Sequence, residues 1–63
     1  MKYQTLTPAQ IHQLRLKLGL SQAKFGEKLH ARQATVSRWE TGKQQPHGLY
    51  AAELHRLIRR HKP

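Results

Sequence analysis

Residues 21–42 have the sequence SQAKFGEKLHARQATVSRWETG, which holds two short amphipathic segments separated by a break. The first segment begins after a good N-cap residue, Ser21, and its pattern ends around 30–32. Its apolar face consists of Ala23, Phe25, Gly26 and Leu29. The second segment predicts a helix over about 33–41, followed by a glycine suited to a left-handed C-cap. The sequence therefore predicts two consecutive short helices joined by a tight turn.

Two helices this short cannot each bury a full face, so we expect them to cross and share one small apolar cluster. The predicted cluster is Phe25, Leu29, Val36 and Trp39. At 100° per residue, the polar side chains of the second helix project away from Val36, with Thr35 at their edge. These outward residues are Gln33, Ala34, Ser37 and Arg38. Such geometry is that of a helix-turn-helix, in which the outer face of the second helix is presented to a partner.

The flanking segments also have helical patterns. Thr7 and Gln10 can form a capping box around Pro8, which predicts the start of a helix. An apolar stripe follows, and Gly19 is expected to end this helix. That stripe consists of Ile11, Leu14 and Leu18. A last helix is expected from about Gly48 to His61. Its apolar positions are Tyr50, Leu54, Leu57 and Ile58, flanked by Leu49 and Ala52.

This organisation predicts one all-α domain, a compact bundle of four or five short helices. A flexible or extended N-terminal arm is expected over 1–6, the helix-turn-helix domain over 7–61 and a basic C-terminal end over 62–63. The chain has 63 residues, which allows one small domain with an economical core.

The charge of the chain points to a polyanionic partner. Twelve Lys and Arg against three acids give a formal net charge of +9. Nucleic acid is the first candidate, because the apolar residues occur in short blocks rather than on one long membrane-binding face. With no cysteine and no metal-ligand spacing among its five histidines, the sequence predicts neither disulfides nor a metal site, and it indicates no cofactor.

An enzyme is not expected. The only carboxylate side chains are Glu27, Glu40 and Glu53, there is no glycine-rich phosphate loop, and the volume is too small for a sheltered pocket. No stretch predicts a transmembrane helix or a signal peptide. A cytoplasmic protein without membrane association is therefore the expectation.

The stretch LGLSQAKFGEKLHARQATVSRWETGKQQP, residues 18–46, resembles the Cro and phage-repressor type of helix-turn-helix, the xenobiotic-response-element (XRE) family of bacterial and phage regulators. The resemblance implies that the third helix enters the DNA major groove. The base-contacting residues that it implies are Gln33, Ala34, Thr35 and Arg38, with Arg32 close to them. Glutamine can pair with adenine and arginine with guanine, while alanine and threonine methyls can touch thymine.

The resemblance also implies phosphate contacts on both sides of the third helix. Gln22 matches a phosphate-binding position at the start of the second helix, where the helix dipole attracts anions. The further phosphate contacts are Ser37, Thr41, Lys43 and Gln44. Glu40 belongs to the "WE.G" pattern of the family, in which the glutamate pairs with an arginine of the first helix, here Arg15. We therefore expect Glu40 to be structural.

Three features depart from the family pattern. His30 occupies a turn position that usually holds glycine, so it either adopts a left-handed backbone or the turn differs. Arg32 replaces the usual Ser or Asp cap of the third helix and adds a charge near DNA. The sequence also ends where many relatives continue into a fifth helix or a dimerisation domain.

The function expected from these features is that of a sequence-specific double-stranded DNA-binding transcriptional regulator, a repressor by the family's usual behaviour. A homodimer, formed in solution or only on the operator, would use the arm with Tyr3 and Leu6, or the last helix with Tyr50, Leu54 and Ile58. Two alternatives remain open. One is an antitoxin-type autoregulator that also binds a toxin, and the other is an adaptor that binds nucleic acid without sequence preference.

Overall fold

The structure, a computed structural model, describes residues 6–61 and contains four α-helices in that part of the chain. They are α1 (Pro8–Leu18), α2 (Gln22–Leu29), α3 (Gln33–Thr41) and α4 (Leu49–Arg60). No strand occurs between residues 6 and 61. The prediction of an all-α bundle of short helices is confirmed.

Local signals at the helix ends explain where the helices begin. The Thr7 hydroxyl accepts from the Gln10 amide at 3.1 Å, and the Gln10 side chain accepts from the Thr7 amide at 2.9 Å. This reciprocal pair is the predicted capping box, with Pro8 in the first turn. The Ser21 hydroxyl caps α2 by accepting from the Lys24 amide at 3.1 Å. The first two helices therefore begin where their side-chain acceptors lie.

The turn between α2 and α3 is tight because two stretches of backbone approach closely. The Ala31 amide donates to the Gly26 carbonyl at 2.8 Å, and Gly26 itself is buried. His30 adopts the left-handed conformation, with φ 59° and ψ 36°. The left-handed alternative considered for this position is the one observed, with histidine where the family pattern has glycine.

The core joins all four helices and includes one residue that precedes them. It consists of Leu6, Ile11, Leu14, Phe25, Leu29, Val36, Trp39, Leu54 and Leu57. Leu6 is only 3% exposed, so its side chain packs in the core rather than in a solvent-exposed arm, and it is unavailable as a dimer contact in this conformation. The Gln45 side-chain amide donates to the Leu6 carbonyl at 2.9 Å and ties this residue to the loop before α4.

Two further expectations are corrected by burial. Ala23 is exposed, so the buried face of α2 is narrower than predicted and comprises Phe25, Gly26 and Leu29. Leu54 is fully buried, which leaves it unavailable as a dimer contact in this conformation. Tyr3 and the rest of residues 1–5, as well as the basic end 62–63, lie outside the described residues.

Trp39 lies at the centre of the core and connects α3 to α4. Its indole ring is 5.3 Å from the ring of Tyr50, measured between centroids, in an edge-to-face arrangement at 60°. The Tyr50 hydroxyl donates to the His30 carbonyl at 3.3 Å, so the same tyrosine also contacts the turn before α3. These contacts fix α3 against the bundle. None of the helices in the described region has the length and apolar character needed to cross a membrane.

Candidate nucleic-acid interface

The outer face of α3 is open to solvent. Gln33, Ala34 and Arg38 are exposed, while Thr35 and Ser37 are half-buried at the edges of the face. Val36 and Trp39, on the opposite side of the same helix, are essentially inaccessible. This division follows from helical periodicity, because residues three apart share a face. The face presents amide, hydroxyl, methyl and guanidinium groups, which are the groups that recognise base edges in the major groove.

The turn before α3 contributes one more candidate. Arg32 occupies the N-cap position, is exposed, and makes no side-chain capping hydrogen bond. Its carbonyl accepts from the amides of Thr35 and Val36 at 3.0 and 3.1 Å, so its backbone begins the helix although its side chain does not cap it. The guanidinium is therefore placed beside the N-terminal residues of α3 without being committed to the protein.

Glu40 lies on the inner side of α3 and is almost completely enclosed. Its carboxylate accepts from Arg15 Nε at 2.7 Å and from Arg15 Nη2 at 3.1 Å. His12 Nδ1 lies 3.0 Å from Oε1, and Gln22 Nε2 donates to the same oxygen at 3.4 Å. The side chain of Glu40 is 6% exposed and that of Arg15 is 14% exposed. The structure thus brings Arg15 and Glu40 together as a fork-like ion pair that links α1 to α3.

The charges of this pair stabilise one another. Burial alone would raise the pKa of Glu40, but hydrogen bonds from Arg15, His12 and Gln22, with the charge of Arg15, lower it below its ordinary value. The hydrogen bond to Glu40 correspondingly raises the pKa of Arg15. Glu40 is therefore an anion that is neutralised inside the fold, and it adds little negative potential to the outer face of α3.

The candidate phosphate contacts lie on either side of α3. Lys43 and Gln44 are exposed, and their backbone amides both donate to the Arg38 carbonyl, at 2.9 and 3.2 Å. This arrangement holds the loop against the end of α3 after left-handed Gly42. The Thr41 hydroxyl donates to the Ser37 carbonyl at 2.9 Å. The Thr41 hydroxyl proton is therefore donated within the helix in this structure, whereas the exposed Lys43 side chain extends from the loop.

Gln22 stands on the other side, at the first turn of α2. Its side chain is half-buried and its amide nitrogen points toward Glu40, so the ion-pair cluster also orients this glutamine. The first amides of a helix have no intrahelical acceptor, and the helix dipole attracts anions, so the start of α2 is suited to a phosphate. The two sides of α3 thus each carry polar groups suited to a DNA backbone.

The acids of the chain leave the interface cationic. All three are paired: Glu27 lies 3.9 Å from Lys24, Glu53 pairs with Arg56, and Glu40 pairs with Arg15. The charged residues exposed on α3 and its flanking loops are Arg32, Arg38 and Lys43, all positive. Within residues 6–61, no group of histidines and acids could hold a metal ion.

Sequence reasoning missed the participation of His12 in the ion-pair cluster. His12 precedes Arg15 by three residues, and this spacing places both on one side of α1. The sequence therefore shows that His12 and Arg15 share a side of α1, but it does not show that the imidazole reaches a carboxylate of α3. The contact of Gln45 with Leu6 gave no local signal, because it joins positions 39 residues apart.

The fold and the exposed third helix define the class, a compact helix-turn-helix domain. A sequence profile described as helix-turn-helix matches residues 11–61, most of the chain. The protein belongs to this family of DNA-binding domains, of the Cro and phage-repressor type. No curated protein shows significant sequence similarity to the chain.

Proposed function

We propose that the protein is a transcriptional regulator, acting as a repressor in the cytoplasm, that binds a specific double-stranded operator by placing α3 in the major groove. The observation that carries this proposal is the outer face of α3. It is exposed and free of acids, while the single acid of the helix is enclosed on the inner side. A helix with this division can approach bases without a repelling carboxylate.

Within this proposal the contacts divide into two kinds. Gln33, Ala34, Thr35 and Arg38, with Arg32 beside them, contact base edges and determine specificity. Gln22, Ser37, Thr41, Lys43 and Gln44 contact the phosphate backbone and set the register. The cluster around Glu40 supports both kinds, because it fixes α3 against α1 and orients Gln22.

The size of the domain bears on how two copies would share an operator. The described chain extends 29 × 26 × 19 Å. On a two-fold symmetric operator, reading helices in successive major grooves are about 34 Å apart. This spacing exceeds the longest dimension of the described chain, so each copy would occupy one half-site.

The decisive experiment is a selection of binding sites from random duplexes, followed by competition between the selected and a scrambled duplex at physiological salt. A consensus with two half-sites and a preference of at least about a thousandfold for the selected duplex are expected. Equal competition by the scrambled duplex would establish the sequence-independent adaptor instead.

Two substitutions separate base contacts from phosphate contacts. Gln33→Ala should weaken binding to the selected duplex by roughly 1–3 kcal/mol and relax the preference at one base pair. Lys43→Ala should weaken binding to selected and random duplexes alike and reduce the slope of log K against log salt by about one. Gln13→Ala is the matched control, because Gln13 is an exposed glutamine on α1 that lines the groove between α1 and the end of α4.

Either substitution could contradict its assignment. If Gln33→Ala caused equal losses on the selected and random duplexes, Gln33 would not contact a base. An unchanged salt slope for Lys43→Ala would remove Lys43 from the phosphate contacts.

A further inference from the structure

A second cationic surface lies between the end of α2 and α4, and distant parts of the chain build it. Lys28, Arg56 and Arg59 line this cleft together with the imidazoles of His30 and His47. Glu53 is the one acid among the lining residues, and it pairs with Arg56. The cleft therefore keeps an excess of positive charge after its internal ion pair is counted.

The same cleft is also apolar, which distinguishes it from a purely electrostatic surface. Leu49, at the start of α4, is 89% exposed, the higher of two values for large exposed hydrophobic residues in the described chain. Tyr50, Ala52 and Leu29 line the cleft beside it. An apolar patch rimmed by charged residues is typical of a site that binds another molecule.

A groove between α1 and the end of α4 lacks this combination. It contains the other exposed leucine, Leu16, which is 52% exposed. Its lysine, Lys17, donates to the His61 carbonyl at 2.8 Å and so serves the end of α4. The α2–α4 cleft is therefore the surface whose charge selects a partner.

Three kinds of occupant can be compared with this surface. Phosphates of a nucleic acid would use the cations but would leave Leu49 in water. A second copy of the chain carries the same +9 charge and has only three acids to set against the cations of the cleft. An acidic segment with apolar side chains on one face would meet both the cations and the leucine.

We propose that the α2–α4 cleft binds an acidic amphipathic segment of a partner protein, with Leu49 as the apolar contact and Lys28, Arg56 and Arg59 facing its carboxylates. None of the lining residues belongs to the proposed DNA contacts. The cleft is therefore formed by a different set of residues from the proposed DNA interface, although His30 lies only two residues before Arg32. This inference does not depend on sequence-specific DNA binding, and either can fail without the other.

The test is a fluorescence anisotropy titration of the full chain with a labelled peptide of about 16 residues that has leucine at heptad positions a and d and glutamate elsewhere. One control peptide has serine in place of leucine, and another has lysine in place of glutamate. Saturable binding of the acidic amphipathic peptide is expected, with at least about tenfold weaker binding of both controls.

Substitutions locate the binding. Leu49→Ser should weaken the binding of the acidic amphipathic peptide about tenfold, whereas Leu16→Ser, at the other exposed leucine, should leave the binding unchanged. Arg59→Gln should weaken the binding of this peptide several-fold and reduce the salt dependence of the binding. Arg60→Gln is the matched control outside the cleft. All four positions are exposed, and far-UV circular dichroism verifies that the variants are folded.

Each alternative has its own result. Absence of binding by the acidic amphipathic peptide would overturn the proposal. Equal binding of the serine peptide would also overturn it, because the attraction would then depend on charge alone. If Arg59→Gln weakened the binding of duplex DNA as strongly as it weakened the binding of the peptide, the cleft would belong to the DNA interface. If sedimentation showed a dimer that Leu49→Ser dissociates, a second copy would be the occupant and the proposal would be wrong.

Discussion

Replacing Gly26 with alanine tests the close backbone approach that makes the turn between α2 and α3. A Cβ atom at this position would lie 2.5 Å from the Ala31 carbonyl oxygen and 3.4 Å from Val36 Cγ2. The Gly26 carbonyl accepts from the Ala31 amide at 2.8 Å, so the two backbones also touch through a hydrogen bond. Gly26 lies inside α2 without a positive φ, so the obstacle to alanine is contact rather than backbone conformation.

The magnitude of the destabilisation follows from two unfavourable contributions and one favourable contribution. Reaching even a tight contact of about 3.0 Å requires the Ala31 carbonyl to move by roughly 0.5 Å, and overpacking of this kind costs about 1–3 kcal/mol. Distortion of the Ala31 hydrogen bond adds about 1 kcal/mol. Alanine returns about 1 kcal/mol through its higher helix propensity. The net expectation is a destabilisation of about 2 kcal/mol, or a fall in Tm of about 8–16 °C for a domain of this size.

Trp39 supplies the assay. It is the only tryptophan and is 1% exposed, so its emission reports loss of the core in urea or thermal unfolding, with far-UV circular dichroism as a second probe. The control is Ala23→Gly, at an exposed position of the same helix, which measures the propensity contribution alone at about 1 kcal/mol. If Gly26→Ala were as stable as the parent or more stable, the Ala31 carbonyl would move freely. The backbone contact would then not determine the turn.

Three other substitutions test the turn, the ion pair and the N-terminal boundary. His30→Gly should stabilise the fold by about 0.5–1 kcal/mol in urea unfolding, because relief of the left-handed histidine exceeds the entropy cost of glycine; a loss of stability would show that the imidazole contributes contacts. Glu40→Gln should destabilise the fold by about 2 kcal/mol at neutral pH by leaving Arg15 without its anion. Because folding lowers the pKa of Glu40, its contribution is complete above the unfolded pKa and is lost as the pH falls through the folded pKa, so the difference between parent and Glu40→Gln should shrink below about pH 4.5. A difference that persisted in acid would exclude the charge as its cause. Leu6→Ala should lower the free energy of unfolding by about 2–3 kcal/mol in the same assay. A decrease of less than about 0.5 kcal/mol would show that Leu6 does not pack in the core.

The helices could be predicted from the sequence because their ends have local causes. The Thr7–Gln10 capping box, Ser21 and the left-handed glycines each act within a few residues, so their signals are visible in a short window. The burial of Leu6 could not be predicted for the opposite reason. Its burial depends on the bundle and on the Gln45 amide, which lies far along the chain.

The same distinction applies to the candidate site. Helical periodicity identifies the outer face of α3, because that face depends only on positions within one helix. It cannot show that His12 joins Arg15 at Glu40, since this contact depends on how α1 crosses α3. The cationic cleft is likewise invisible in the sequence, where Lys28 and Arg59 belong to separate stretches that look like ordinary solvated faces.

The turn before α3 concentrates departures that cost stability. His30 holds a left-handed conformation that is unfavourable for a residue with a Cβ atom, by about 1–2 kcal/mol. Arg32 stands at an N-cap without a capping hydrogen bond, where serine or aspartate would contribute about 1 kcal/mol. Against a total stability of roughly 3–9 kcal/mol for a chain of this length, these costs are large. Both residues adjoin surfaces proposed to bind partners: Arg32 the base-contacting end of α3, and His30 the α2–α4 cleft. Local rules are most often broken where binding requires it, so the turn is the place where stability and recognition are expected to trade against each other.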